Sequence, residues 1–141
     1  MSTSGSSSLS QRPAARTGRK DFALGNMADD LLELTLSMCG KDEHKTPRFP
    51  VLLYNGYVSE IIGAAVTIHK DIIMANEMRL GENRTAKQQE AAATCVWLNH
   101  LIRAATYKGW ISEKQRDRWQ SLVSAVKFKI INWMQADKKR M

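Results

Sequence analysis

Three histidines (His44, His69 and His100) and two cysteines (Cys39 and Cys95) are the side chains best suited to metal binding or nucleophilic chemistry in this 141-residue chain. Their spacing supports neither. A structural zinc site gathers four such ligands in short paired spacings, and a helical metalloprotease site needs two histidines one turn apart with a glutamate beside the first; neither pattern occurs. His69 and Asp71 stand two apart on a helical segment and so do not face each other. A di-iron site in a bundle core would require inward glutamates and Glu-x-x-His pairs, which the sequence does not supply. The phosphate-cradling patterns G-x-x-x-x-G-K-[ST] and G-x-G-x-x-G and the nucleophile elbow G-x-S-x-G are missing. Asp29, Asp30 and Glu33, with Asp42 and Glu43, read as solvated helix and loop acids. No catalytic residue, metal ligand or cofactor is therefore expected, and the chain reads as a non-enzyme that works by binding.

Stacking and charge are the chemistries left. Of the four tryptophans, Trp119 and Trp133 sit at helical spacing and read as core, whereas Trp110 lies in a turn and is the candidate for stacking on a base. His100 points away from its helix's apolar seam and reads as a surface contact. The net charge is +7 and unevenly placed. Residues 1–20 carry four basic groups and no acid; residues 21–102 carry seven basic and eleven acidic groups, a net −4; residues 103–141 carry ten basic and three acidic groups, a net +7. A domain that is acidic over its first half and strongly basic in its last helix points to an anionic partner, nucleic acid before membrane. The alternative is a solvated basic face that serves solubility.

The elements that position these groups are helices. Residues 1–20 are Ser-rich and basic and should form a disordered arm, because they hold too little apolar surface to offset the entropy of ordering. A first helix is expected from Asp21 to Cys39, with Leu24, Met27, Leu31, Leu34 and Met38 as its stripe and Gly40 as its stop. After a polar loop, Pro50 opens a second helix over Val51–Arg79 whose seam is Tyr54, Val58, Ile61, Ala65, Ile68 and Ile72. Gly56 and Gly63 would let another backbone approach it closely. A third helix is expected from a capping box at Thr85 and Gln88 to Lys108, with Ala91, Cys95, Leu98, Ile102 and Ala105 inward and Gly109 as its stop. Ser112 and Gln115 form a second capping box opening a fourth helix that runs to Ala136. Four helices on short turns predict an all-α, antiparallel up-down-up-down four-helix bundle over residues 21–136, followed by a basic tail at 137–141. The cysteines read as reduced core residues of a cytoplasmic protein. No apolar run approaches the ~20 residues of a membrane span, so no membrane partner is expected.

Placed on a wheel at about 100° per residue, Trp119, Leu122, Val123, Val126, Ile130, Trp133 and Met134 form the inward face of the fourth helix. Lys114, Arg118, Lys129 and Arg140 line one edge of that face, and Arg116, Lys127 and Lys138 line the other. Lys139 extends the basic end, and Arg103 and Lys108 add charge from the third helix. These residues are the expected nucleic-acid or partner contacts. Phe128 and Ile131 fall outside the core face, as do Val96 and Tyr107 on the third helix. Outward apolar groups on adjacent helices predict subunit contact in a homo-oligomer.

Several phrases carry a resemblance to a family. Phe49-Pro50, then Ile72-Ile73-Met74-Ala75-Asn76, then Leu101–Ala105 with Ile111-Ser112, and finally Ile131-Asn132-Trp133 stand in the order and nearly the spacing of a four-helix-bundle family. That family comprises the proteins of ribosomal-RNA intervening sequences and the accessory variability determinant (Avd) proteins of diversity-generating retroelements; the likeness is closer to the latter and covers roughly residues 24–136. Arg103 matches the arginine of the family's L-L-R-L-A segment. Basic positions of the family correspond here to Val51, Tyr54 and Glu60, and its small pair before the final tryptophan to Ile131-Asn132. The resemblance implies a homopentameric, positively charged barrel, bacterial or phage-encoded, that binds a reverse transcriptase and its template RNA or cDNA and supports mutagenic reverse transcription without catalysing it. The alternatives are an RNA-associated bundle of the intervening-sequence type and a plain helical interaction module.

Overall fold

The computed structural model describes residues 22–141, so the expected arm at 1–20 lies outside the described residues. Four long helices account for most of the described chain: α1 (Ala23–Met38), α2 (Ser59–Glu77), α3 (Glu82–Tyr107) and α4 (Glu113–Arg140). Among the described residues there is no strand, only a lone bridge between Lys41 and Pro47. The all-α expectation holds. Each helix packs on two neighbours, α1 on α2 and α4, and α3 on α2 and α4.

The core follows the apolar periodicity of each helix. The α3 seam of Ala91, Cys95, Leu98, Ile102 and Ala105 is fully buried, as are Trp119, Val123, Val126 and Ile130 of α4 and Ile61, Ile68 and Ile72 of α2. On α1 the buried line is Leu24, Ala28, Leu31, Thr35 and Met38, while Met27 and Leu34 are half-buried at its edges. Thr35 enters the core because its hydroxyl accepts the indole N–H of Trp119 at 3.1 Å. Cys39 and Cys95 are buried free thiols.

Helix boundaries differ from the sequence expectation in three places. Before α2 the chain winds through a 3-10 turn at Val51–Leu53 and a π turn at Tyr54–Val58 instead of one regular helix from Val51. Aromatic packing accompanies that irregularity: Tyr57 and Phe49 each lie 5.7 Å from the Trp110 ring, and the Tyr57 hydroxyl donates to the Leu101 carbonyl. α3 begins at Glu82, a turn earlier than expected, and the Thr85–Gln88 capping box does not form. Thr85 Oγ1 donates to the Gly81 carbonyl at 3.1 Å, and Gln88 is buried with its amide donating to Asp137 at 2.8 Å. α4 continues to Arg140, not Ala136, so residues 137–140 are helix and not a tail. Asp137 anchors that last turn, accepting from Arg84 Nε at 2.7 Å while only 3% of its side chain is exposed. Lys138, Lys139 and Arg140 then sit beside the helix C-terminus, where positive charge is favourable.

Other signals are reproduced. Ser112 accepts from the Gln115 N–H and Gln115 accepts from the Ser112 N–H, a complete capping box. Gly109 takes φ +82, which closes α3 in the left-handed region where a Cβ is disfavoured. Gly56 and Gly63, by contrast, face open space, with nothing within 4 Å of an added Cβ, so neither admits a second backbone within this chain. The stretch Val51–Glu77, 27 residues, is by length and composition alone apolar enough to cross a membrane, where no such run was expected from the sequence. Its Ile61, Ile68 and Ile72 are spent on the bundle core.

Candidate nucleic-acid interface

Burial of Trp119, Val123, Val126 and Ile130 fixes the rotation of α4 and sends its two basic edges to different neighbours. Arg118, Lys129 and Arg140 recur at eleven-residue steps, about three turns, on the edge facing α1. Arg116, Lys127 and Lys138 recur likewise on the edge facing α3. The two edges meet different chemistry.

The α1 side is a groove of about 430 Å³ lined by Asp30, Glu33, Leu34 and Ser37 of α1 and by Arg118 and Leu122 of α4. Its lining holds charges of both signs, two carboxylates and one guanidinium.

The α3 side is a groove of about 240 Å³ lined by Val96, Asn99, His100 and Arg103 of α3 and by Gln120, Ser124 and Lys127 of α4. Its lining includes no carboxylate. Arg103 Nη2 lies 3.0 Å from His100 Nδ1, and Gln120 donates to the Asn99 carbonyl at 3.0 Å, which ties the two helices together at the groove floor. The Asn99 Oδ1 is buried with no hydrogen-bond partner. The Lys127 ammonium lies close enough to Cys95 to draw its thiol pKa down, yet burial dominates and pushes it up to about 12. Arg103 is exposed, with His100 as its hydrogen-bond partner.

The remaining basic residues divide by partner. Arg116 donates to Asp117 at 2.9 and 3.1 Å. Arg140 lies 3.8 Å from Asp137. Lys138 lines a separate groove with Glu82, Thr85, Ala86 and Gln89 of α3. Lys108, Lys114, Lys129 and Lys139 are exposed. The expected contacts thus do not form one patch; the structure brings Arg103 and Lys127 together and places Arg118 with acids.

Of the expected subunit contacts, Val96, Tyr107 and Phe128 are exposed at 40%, 91% and 68%. Ile131 is half-buried, because its position on α4 turns it partly toward a neighbouring helix, and it is the weakest of the four. Trp110 is not free to stack on a base: it packs against Phe49 and Tyr57. The exposed indole is Trp97, whose Nε1 donates to Glu60 at 3.0 Å. Asp29 is not a solvated acid either, since its carboxylate lies 2.6 Å from His69 Nε2. Sequence reading missed Asn99, Gln120 and Ser124. The steps Val96–Asn99–Arg103 and Gln120–Ser124–Lys127 were available as a signal, each a polar stripe on an edge facing the other helix. Among the described residues no three His, Cys, Asp or Glu side chains are grouped to hold a metal ion.

No family model, no curated protein and no solved structure matches this chain.

Proposed function

We propose that this protein is a non-enzymatic accessory subunit of a nucleoprotein assembly, binding single-stranded RNA or its cDNA along the groove between α3 and α4. The observation that carries this reading is the carboxylate-free lining that joins Arg103, His100 and Lys127. Phosphates gain from two cations there, and the orphaned Asn99 oxygen beside the groove accompanies a polar floor suited to a hydrated ligand. The family resemblance supplies the rest of the proposal: the nucleic acid is the template of a diversity-generating retroelement, and the protein partner is its reverse transcriptase. In this reading the bundle is antiparallel, up-down-up-down. Contacts of α3 with α2 and the turn before it support that order, since Lys87 meets Asp71, Trp97 meets Glu60 and Leu101 meets Tyr57, each step forward on α3 being a step back on the other segment. The resemblance also proposes five copies in a barrel, and the exposed Val96, Tyr107 and Phe128 support an assembly of some number.

The test compares two charge reversals by fluorescence anisotropy with a labelled single-stranded RNA. Arg103→Glu with Lys127→Glu should abolish binding at about 50 mM salt, while Arg118→Glu with Lys129→Glu should weaken it only modestly through net charge. Equal losses in the two variants would remove the α3/α4 groove as the site. No binding by the unaltered protein would favour the plain interaction module.

A further inference from the structure

Each of the three histidines faces a charged group, and the signs differ. His44 lies 3.9 Å from the Glu43 carboxylate in the loop after α1, and His69 lies 2.6 Å from Asp29 where α1 meets α2. A carboxylate favours the protonated imidazole. His100 faces a cation instead: its Nδ1 lies 3.0 Å from Arg103 Nη2, one turn further along α3. A guanidinium has donors only and keeps its proton, so in this bond Nδ1 accepts and carries no hydrogen. The bond therefore exists only while the ring is neutral, with its hydrogen on Nε2.

Protonation places a hydrogen on Nδ1 and breaks that bond, leaving two neighbouring cations with no anion between them. The groove around them adds a third: Lys127 comes from α4, Gln120 and Ser124 beside it are uncharged, and the lining includes no carboxylate. On the α2 side of α3 the acid is Glu60, whose carboxylate accepts the Trp97 indole N–H at 3.0 Å, one turn before His100. His100 and Arg103 are both exposed, so the ring can gain and lose its proton in contact with water, without disturbing the core.

We propose that nucleic-acid binding in the α3/α4 groove is linked to a proton on His100. A phosphate of the strand sits between Arg103 and the imidazolium and accepts from both, and the complex takes up a proton that the free groove does not hold. This rests on the groove reading above and adds its regulation.

The sign follows from the bond. With the ring neutral, Arg103 is engaged by His100, and only Arg103 and Lys127 of this group are cationic. With the ring charged there are three cations, and the phosphate replaces the acceptor that Arg103 has lost. Histidine changes charge between about pH 8 and about pH 5, so affinity rises as pH falls through that window. By linkage the proton and the phosphate strengthen each other's binding by the same factor. We expect about tenfold, toward the low end of coupling between two sites, because salt and water screen an open groove.

Anisotropy titrations of the full-length protein with labelled oligouridine, at about pH 8 and about pH 5.5, test the link, since uracil does not titrate between them and histidine does. The unaltered protein should bind about tenfold more tightly at the lower pH. His100→Gln should flatten that dependence, whatever its affinity at the higher pH. His44→Gln removes a titrating charge from outside the groove and should keep it. An affinity that does not change with pH, or a rise that survives His100→Gln, overturns the proton link and leaves the groove standing. No binding at either pH removes the groove reading and the link together. Nitrogen-15 spectra of the free protein test the bond without RNA: at about pH 8 His100 should be the Nε2–H tautomer, and the Nδ1–H tautomer would overturn the proposal.

Discussion

Trp119 and Thr35 meet in a site closed to water, where the indole N–H has the threonine hydroxyl as its partner at 3.1 Å. Thr35→Val keeps the shape and deletes the acceptor, which leaves a buried donor unpaired at a cost of about 1–3 kcal/mol. Urea unfolding should show a lower midpoint with an unchanged slope; an unchanged midpoint would mean that the indole has another partner. The thiols make a second prediction. Burial pushes both Cys39 and Cys95 up to about 12, against the opposing charges of Arg48 and Lys127. A thiol in the unfolded chain ionises near about 8.5. Below that pH both states keep the proton and stability has no slope from these groups. Above it the unfolded chain loses protons that the folded chain retains, so stability falls as pH rises toward about 12. Melting curves from pH 8.5 upward should therefore fall less steeply in Cys95→Ala than in the unaltered protein, and parallel curves would contradict the burial account. At this scale Trp119 was legible in the sequence as core, because one face of α4 could hold it. Trp110 was not, because its partners Phe49 and Tyr57 lie more than fifty residues away and no local spacing announces them.

The helices test how far periodicity reaches. The α3 seam from Ala91 to Ala105 is buried as the spacing required, since a 3.6-residue period with small and branched residues leaves one choice of inward face. The ends were less legible. Thr85 and Gln88 have the types and spacing of a capping box, yet Gln88 reaches Asp137 instead, 49 positions further along the chain. A local motif lost to a tertiary contact. The same contact extends α4: Asp137 read as part of a charged tail, and its burial beside Arg84 and Gln88 makes it an anchor. Truncation after Ala136, or Asp137→Ala, should destabilise the bundle by about 3–5 kcal/mol, because Arg84 is left largely buried without its carboxylate. Calorimetry that finds no change in melting temperature would return residues 137–141 to the status of a tail. Ser112→Ala removes the capping box that opens α4 and should cost about 1 kcal/mol, measured by denaturant unfolding.

For the whole molecule, the wheel located two basic edges on α4, and the identity of each edge depended on its neighbour. Arg118 faces Asp30 and Glu33, while Lys127 faces Arg103 and His100 across a groove free of carboxylates. Sequence alone could not rank the edges, because handedness and helix order decide which neighbour each one meets. The central claim is that the α3 side of α4 holds a nucleic-acid backbone, and the salt dependence of RNA affinity tests it most directly. For single strands, log K should fall linearly with log salt by about 0.7 per phosphate neutralised. Arg103→Gln with Lys127→Gln should reduce that slope by about 1.4, and Arg118→Gln with Lys129→Gln should leave it nearly unchanged. An affinity independent of salt, or a slope that falls equally in both variants, would contradict the account.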